Sequence, residues 1–303
     1  MENKIEDKNK YLFLQDAESL FPYKAEYNSL VKSDFINYKE SMTDNFSVIY
    51  KFINAYGYYP AQPLRIFKLM TLLNDKVKEL KLSPEIKNRI FKLMGVRYYL
   101  WHTINLVTET PDKKYFSLIY ENKKFNLELW ELKDYQPKFT FKTKPYITDS
   151  GDDIFKIIIG LKPFKFNNET VLIQDTNSTT FNPGQTMSKN LPMEIKLTEM
   201  KNNSFSLNVV THETGFLVMA MNYYDGWEAY NNGKKIPIFK ANHYQQALLL
   251  ESGKHEIKML YNPFSFFIGK IISFCTLLVL IILAGLYKKR VLFNNLNEVV
   301  HSD

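Results

Sequence analysis

The sequence has very little of what a disulfide framework or a metal centre needs. Its single cysteine, Cys275, lies in an apolar segment, so one chain cannot close a disulfide or build a thiolate cluster. The five histidines occur singly, and none stands in an HExxH or comparable ligand spacing. The sequence therefore predicts no metal and no cofactor, and a fold that is stabilised by packing alone.

Signatures of soluble enzymes are also lacking. There is no glycine-rich phosphate loop, no Gly-x-Ser-x-Gly elbow and no dinucleotide fingerprint. The remaining candidates for acid/base chemistry on a glycosidic bond are five carboxylates near predicted turns: Asp152, Asp153, Glu213, Asp225 and Glu228. The alternative is that they are solvated turn residues. Enzyme activity of the chain on its own stays an open question, and no catalytic residue is assigned.

The charge is modest and evenly spread. A net charge of +7 over 303 residues comes from lysines that are scattered among carboxylates, without the basic stripe that typifies nucleic-acid binding. The sequence therefore predicts no nucleic-acid partner.

The composition and length indicate the fold class. Aromatic residues make up 15% of the chain and favour half-buried strands. The length suits about two domains.

One long apolar run is present near the C-terminus. Residues 271–287 carry no charge, and residues 264–287 as a helix are about 36 Å long, enough to cross a bilayer core of about 30 Å. Lys270 lies near the start of the run and can snorkel to the headgroups. Lys288, Lys289 and Arg290 end it. The sequence predicts a single-pass membrane anchor; the alternative is a buried helix of a soluble protein.

The two ends of the chain give different indications of topology. The basic cluster at 288–290 favours a cytoplasmic C-terminus, 289–303. The first 50 residues contain no basic segment followed by an apolar one, so no signal peptide is predicted. Either membrane helices that precede this sequence export the large domain, or that domain stays in the cytoplasm.

The N-terminal part, residues 1–138, is predicted to be an α+β region. Residues 1–10 are charged and expected to fray, and no period is recognisable up to residue 47. Apolar residues from Ile66 to Leu80 follow helical spacing, and a second helix begins with Ser83 as N-cap and ends at Gly95. Strands are predicted at 96–100, 115–120 and 126–132.

After Pro137 the helical periodicity disappears, and residues 139–262 are predicted to form an all-β, jelly-roll-like sandwich. A strand at 216–224 is apolar enough to be covered on both faces. Asn232-Gly233 predicts a hairpin turn, and alternating apolar residues from His255 to Tyr261 predict the last strand. The segment 263–288 then forms the membrane helix.

Four aromatic residues stand close together in the predicted sandwich. Tyr223, Tyr224, Trp227 and Tyr230 are candidate glycan contacts, because aromatic rings beside polar groups are surfaces on which sugars can lie. The alternative for Trp227 is a plug that closes the end of the sandwich, since it follows the tight turn at Asp225-Gly226.

The same region resembles the C-terminal part of YfhO-type bacterial membrane proteins. Residues 215–230 read GFLVMAMNYYDGWEAY, and Asn232-Gly233-Lys234 follows; together they are similar to the family pattern "tyyPGWka-dGk". The resemblance continues to the membrane helix, and weaker similarities lie upstream at 55–58, 93–98 and 129–132. Asp225 stands where the family often has proline, and 132–134 departs from the usual glutamate-asparagine.

The resemblance implies a relation to multi-spanning glycosyltransferases that use lipid-linked sugars. Catalytic carboxylates in such enzymes are expected in early extracytoplasmic loops, so none is carried over to this sequence. The chain is expected to be an extracytoplasmic accessory part that positions a glycan. Its expected partners are the bilayer, a glycan or lipid-linked sugar, and a multi-spanning membrane protein. The alternative is a tail-anchored structural or protein-interaction module that faces the cytoplasm.

Overall fold

The computed structural model describes residues 12–15, 64–73, 82–103, 110–124, 126–175, 193–201 and 203–300. The predicted fraying of residues 1–10 and the second half of the first predicted helix, up to Leu80, lie outside these ranges.

Two short helices begin the well-described part of the chain. Helix α1 spans Leu64–Leu73 and buries Ile66, Leu69 and Leu72. Helix α2 spans Pro84–Leu93, and the Ser83 hydroxyl accepts a hydrogen bond from the Ile86 amide at 3.3 Å. Gly95, with φ of 71°, follows its last turn, where the left-handed conformation favours glycine. The predicted helix starts and the predicted stop at Gly95 are confirmed.

The helices pack on a four-stranded sheet, sheet A. It contains β1 (Leu12–Gln15), β2 (Val96–His102), β3 (Phe116–Asn122) and β4 (Leu127–Leu132) in the order β1-β2-β4-β3. Strand β1 pairs with β2 in parallel and the other pairs are antiparallel. Phe91 of α2 contacts Tyr99 and Phe116 at 5.7 Å between ring centroids. The three predicted strands of this region are confirmed.

Eleven further strands form two more sheets. They are β5 (Phe139–Lys142), β6 (Lys144–Thr148), β7 (Thr170–Gln174), β8 (Glu194–Met200), β9 (Ser204–Thr211), β10 (Gly215–Asn222), β11 (Trp227–Asn231), β12 (Lys234–Ile236), β13 (Phe239–Ala241), β14 (Gln245–Leu250) and β15 (Gly253–Tyr261). Sheet B has the order β5-β10-β14-β13-β7-β6, and sheet C the order β12-β11-β15-β9-β8.

Sheets B and C pack face to face as the predicted sandwich. Leu217, Met219 and Leu248 of sheet B share one buried core with Leu207 and Ile257 of sheet C. Alternate residues of β10 face the other way, where Phe216 and Val218 join a second cluster, as the two-residue period of a strand requires. The prediction that this strand is covered on both faces is confirmed.

The predicted hairpin and last strand are also confirmed. Asn232 and Gly233 have φ of 50° and 80°, the pair of positive values that a tight turn between β11 and β12 needs. In β15, Ile257 and Met259 are buried while Glu256 and Lys258 are exposed.

One element contradicts the sequence analysis. The periodicity was expected to be lost after Pro137, but helix α3 spans Gly151–Ile158 and joins the parallel strands β6 and β7. The Ser150 hydroxyl accepts a hydrogen bond from the Asp153 amide at 3.1 Å, which caps the helix. Two turns are too short to display a helical period, although Ile154, Ile157 and Ile158 are all buried.

The membrane anchor is a single long helix. Helix α4 spans Phe264–Val300, and its part Phe264–Lys288 has a mean hydropathy of 2.6 in its most apolar window and no burial against the rest of the protein. Lys270 places its ammonium 4.7 Å from the centre of the Phe266 ring, towards the start of the helix, as snorkelling requires. The helix continues beyond the predicted end of the span into the predicted tail.

The largest core joins residues from both predicted regions. Leu69 and Trp130 share a cluster with Ile154, Ile157 and Leu172, so the two regions pack against each other. The division at residue 138 stays a prediction.

Candidate functional site

Strand β5 places its residues alternately in the sandwich and in a cleft. Phe139 and Phe141 belong to the core between sheets B and C. Lys138, Thr140 and Lys142 point to the opposite face of sheet B, where they line a cleft of about 440 Å³. The strand therefore has an apolar side that stabilises the fold and a polar side that is available for binding.

Several other parts of the chain form the walls of the cleft. Helix α2 contributes Glu85, Asn88, Arg89, Lys92 and Leu93, and the loop 164–168 contributes two phenylalanines and two asparagines. The rings of Phe164 and Phe166 lie 4.9 Å apart in an edge contact. The site thus combines amides and aromatic rings, which is the surface chemistry that pockets for polar organic ligands use.

Two of the amides in the cleft already have structural partners. Asn242 accepts a hydrogen bond from the Leu172 amide at 3.0 Å and donates one to Gln245 Oε1 at 2.7 Å. Gln245 in turn donates to the carbonyl oxygen of Leu93. These two side chains tie β7 and the β13–β14 turn to α2 and fix the cleft wall.

Asn88 differs from those two amides. Its Oδ1 atom is buried and accepts no hydrogen bond from a described residue. A buried acceptor without a donor costs about 1–3 kcal/mol, and a ligand hydroxyl or N–H group in the cleft would supply the missing donor.

The charge of the cleft is strongly positive. Five cationic side chains line it, namely Arg89, Lys92, Lys138, Lys142 and Lys165, with Glu85 the one carboxylate among the lining residues. Arg89 donates to the carbonyl oxygen of Ile157 at 3.3 Å and stacks 4.5 Å from the Phe166 ring centre. Lys92 forms an ion pair with Asp134. The side chains of Arg89 and Lys92 therefore already have partners within the protein.

The buried cations of the site are Lys138, directly before β5, and Lys142, the last residue of β5. Lys138 and Lys142 expose only 4% and 7% of their surface. Burial lowers the pKa of each from 10.5 to about 8, because desolvation penalises the charged form. Lys142 donates to the Asn168 carbonyl at 2.5 Å and to Gln136 Oε1 at 3.3 Å. The Lys138 ammonium has no hydrogen bond and no ion pair to a described residue; it lies 5.6 Å from the Phe139 ring centre.

The four predicted glycan contacts lie elsewhere and do not form one surface. Trp227 and Ala229 face the core of the sandwich, and Trp227 lies 5.3 Å from Tyr261 and 5.9 Å from Phe205 between ring centroids. Tyr230 is on the opposite face of β11 and donates to Glu228 at 3.0 Å. That hydrogen bond raises the pKa of the Tyr230 hydroxyl.

Tyr223 and Tyr224 follow the end of β10. The Tyr223 amide donates to the Tyr244 carbonyl at 2.7 Å, and the Lys240 ammonium lies 5.0 Å from the Tyr223 ring centre. Tyr224 exposes 42% of its surface. None of the four aromatics lines the cleft, and their assignment as glycan contacts stays a prediction.

The candidate carboxylates are spread over the fold. Asp152 and Asp153 lie in the first turn of α3, where Asp153 pairs with Lys162 at 2.7 Å. Glu228 pairs with Lys235 at 2.6 Å, while Glu213 and Asp225 lie exposed in turns. In both ion pairs the hydrogen bond from the lysine is the main cause that lowers the carboxyl pKa. Over the described residues, no group of three or more His, Cys, Asp or Glu side chains is arranged to hold a metal ion.

The family comparison agrees with the resemblance seen in the sequence. A family model described as bacterial membrane protein YfhO matches residues 146–273. Residues 146–273, referred to below as the YfhO region, are therefore similar to that family. No curated protein and no solved structure gives a significant match to the chain.

The YfhO region covers less than half of the chain but includes most of the sandwich. It starts in β6 and ends inside α4, so it takes in the connection between the last strand and the membrane helix. Together, the YfhO match and the apolar helix identify a membrane protein. Lys138, Lys142 and the α2 wall of the cleft lie before the YfhO region.

The cleft itself was missed by the sequence analysis. The signal for it is the alternation Lys138, Phe139, Thr140, Phe141, Lys142, which predicts a strand with one apolar and one cationic face. Such a pattern normally indicates a solvent-exposed face. Only the packing of α2 and the loop 164–168 over that face turns the two lysines into buried groups.

Proposed function

We propose that this chain is the membrane-anchored, extracytoplasmic accessory part of a YfhO-type glycosyltransferase that uses a lipid-linked sugar, and that it positions a glycan. The observation that carries the proposal is the cleft, with its unpaired acceptor at Asn88 and its neighbouring phenylalanine rings. Sugars present many hydroxyl donors and apolar ring faces, so they match both features. The chemical step is assigned to a multi-spanning partner region.

The attachment to the membrane supports a positioning role. Only Asn262 and Pro263 separate β15 from α4, and the Asn262 amide donates to the Gly226 carbonyl at 2.7 Å. A short connection that is held by the sandwich limits the directions in which the domain can point. A glycan bound in the cleft would be held within a narrow range of positions above the bilayer.

Glycan binding tests the proposal directly. The full chain in phosphatidylcholine nanodiscs is screened by saturation-transfer NMR against neutral and charged oligosaccharides. We expect binding that weakens at least tenfold in Asn88→Ala, and unchanged binding in Asn203→Ala, which removes an exposed turn amide. If no saccharide binds to the folded chain, the positioning role is wrong.

The orientation of the domain separates the proposal from the tail-anchored alternative. Lys234 is exposed beside the Asn232-Gly233 turn. A Lys234→Cys variant in a Cys275→Ser background therefore carries one thiol on the sandwich. Labelling by an impermeant thiol reagent in intact cells is expected for the extracytoplasmic domain. Protection until lysis would instead support a structural or interaction module in the cytoplasm.

A further inference from the structure

We infer that Lys138 and Lys142 form an anion subsite in the cleft, which binds a phosphate or carboxylate group carried by the glycan. This inference rests on the proposed function and names the chemical class of its ligand: a charged saccharide.

The ammonium of Lys138 has no negatively charged partner among the described residues. Buried lysines are rare unless a partner compensates for the lost hydration. Lys138 exposes 4% of its surface, and no described residue accepts a hydrogen bond from its ammonium. A lysine that is largely buried at the wall of a cleft, and whose ammonium has no acceptor among the described residues, is what an anionic ligand would satisfy.

No described residue forms an ion pair with Lys142 either. Its two acceptors, the Asn168 carbonyl and the Gln136 amide, are uncharged. The negative charge of Glu169 acts on Lys142, but the Glu169 carboxylate pairs with Lys144. Two cations without a counter-charge among the described residues, one directly before β5 and one at its end, therefore line a single cleft.

The amide oxygen of Asn88 favours a charged sugar over a bare anion as the ligand. Asn88 lines the same cleft and has a buried acceptor without a donor. A carboxylate has no donor to offer it, and inorganic phosphate has one or two hydroxyls that lie on the anion itself, whereas a sugar that carries such a group also has hydroxyls at a distance from the charge. The cleft thus complements a ligand with an oxyanion and hydroxyl donors in one molecule.

Calorimetry on the full chain in phosphatidylcholine nanodiscs tests the inference with four probes: glucose, glucose 6-phosphate, glucuronate and inorganic phosphate. We expect both charged sugars to bind at least tenfold more tightly than glucose and more tightly than phosphate. Lys138→Gln should reduce their affinity to that of glucose. Lys258→Gln, which removes an exposed lysine from the outer face of β15, should change nothing.

Two outcomes with saccharide probes, and a third with a lipid, would overturn the inference while the proposed function stands. One is equal binding of glucose and the charged sugars by the wild-type chain, a result that does not depend on how well any variant folds. The other is full affinity of folded Lys138→Gln for the charged sugars. If phosphatidylglycerol in the nanodisc displaces the charged sugars, the subsite belongs to a lipid headgroup and the inference is wrong. Absence of any saccharide binding would contradict the proposed function itself.

Discussion

A Cβ atom placed on Gly226 would lie 2.8 Å from the Cα atom of Pro263, so the turn before Trp227 is in direct contact with the start of the membrane helix. Gly226 also has a φ of 105°, which L-residues with a side chain rarely adopt. Both the space and the backbone conformation therefore require glycine. Contact at this point couples the sandwich to the anchor.

Gly226→Ala is predicted to destabilise this junction. Backbone strain alone costs on the order of 1–3 kcal/mol, and the overlap with Pro263 adds to it. We expect a lower melting temperature of the chain in nanodiscs and faster hydrogen exchange of the Asn262 amide, whose acceptor is the Gly226 carbonyl.

Gly233→Ala is the matched control for Gly226→Ala. Gly233 also has a positive φ, 80°, but no atom lies within 4 Å of a Cβ placed there. Gly233→Ala should lower the melting temperature through backbone strain, and it should leave hydrogen exchange of the Asn262 amide unchanged. Equal effects of both variants on the Asn262 amide would contradict the proposed coupling.

Trp227→Ala separates the two interpretations of this residue. The ring packs between Phe205 and Tyr261 at the edge of the sandwich core, and removal of a fully buried tryptophan typically costs about 3–5 kcal/mol. Because Trp227 is only half-buried, we expect a loss of roughly 2 kcal/mol in the free energy of unfolding, measured by thermal denaturation.

Tyr230→Ala changes the outer face of the same strand and should cost much less stability than Trp227→Ala. Saturation-transfer NMR provides the second readout. An unchanged melting temperature together with weaker glycan binding in Trp227→Ala would support a ligand contact in place of the plug.

Local signals made a large part of the fold predictable. Caps and turns depend only on residues that are close in the sequence. The structure confirms the helix N-cap at Ser83, the helix end at Gly95 and the turn at Asn232-Gly233. The strand at β10 was recognisable because six consecutive buried residues leave no polar alternation. These features need no information about distant parts of the chain.

Features that depend on distant contacts were not predictable in the same way. Helix α3 is only two turns long, and its buried isoleucines meet a core built from residues as remote as Leu69. The cleft needs α2, β5 and the loop 164–168 to come together. Trp227 and Tyr230 are three residues apart in the sequence, yet the pleat of β11 directs them to opposite faces.

Lys138→Met is predicted to make the protein more stable at neutral pH. Lowering the pKa of Lys138 from 10.5 to about 8 corresponds to a cost on the order of 3 kcal/mol, at about 1.4 kcal/mol per pH unit. Both the folded and unfolded states of the wild type are protonated at pH 7, so the whole cost is present there. Methionine has a similar shape without the charge.

The stability difference between Lys138→Met and the wild type should depend on pH. Between pH 8 and 10.5 the unfolded wild type binds the proton that the folded state has released, so wild-type stability rises with pH. The advantage of Lys138→Met should therefore be largest below pH 8 and shrink towards pH 10.5. Melting temperatures of both chains at pH 7, 9 and 10.5 measure it. A variant that is less stable at pH 7 would show that the lysine contributes to the fold itself.

Binding of a charged saccharide should have the opposite pH dependence to stability. The pKa of about 8 for Lys138 and for Lys142 means that both are largely cationic at pH 7 and neutral at pH 9.5. A bound oxyanion favours the protonated forms of both lysines, so it raises both pKa values and is released as pH rises through them.

Other charged groups among the described residues surround the two lysines. They are Glu85, Arg89 and Lys92 of α2, Lys165 of the loop 164–168, Asp134 before β5 and Glu169 before β7.

We expect the affinity for glucose 6-phosphate to fall at least tenfold between pH 7 and 9.5, while the affinity for glucose changes little. Lys138→Gln removes one of the two titrating groups and should flatten the profile, whereas Lys258→Gln should reproduce the wild-type curve. A profile that is unchanged in folded Lys138→Gln would assign the titration to another of the surrounding groups. Because the sugar is common to both probes, the difference between their profiles isolates the contribution of the anion.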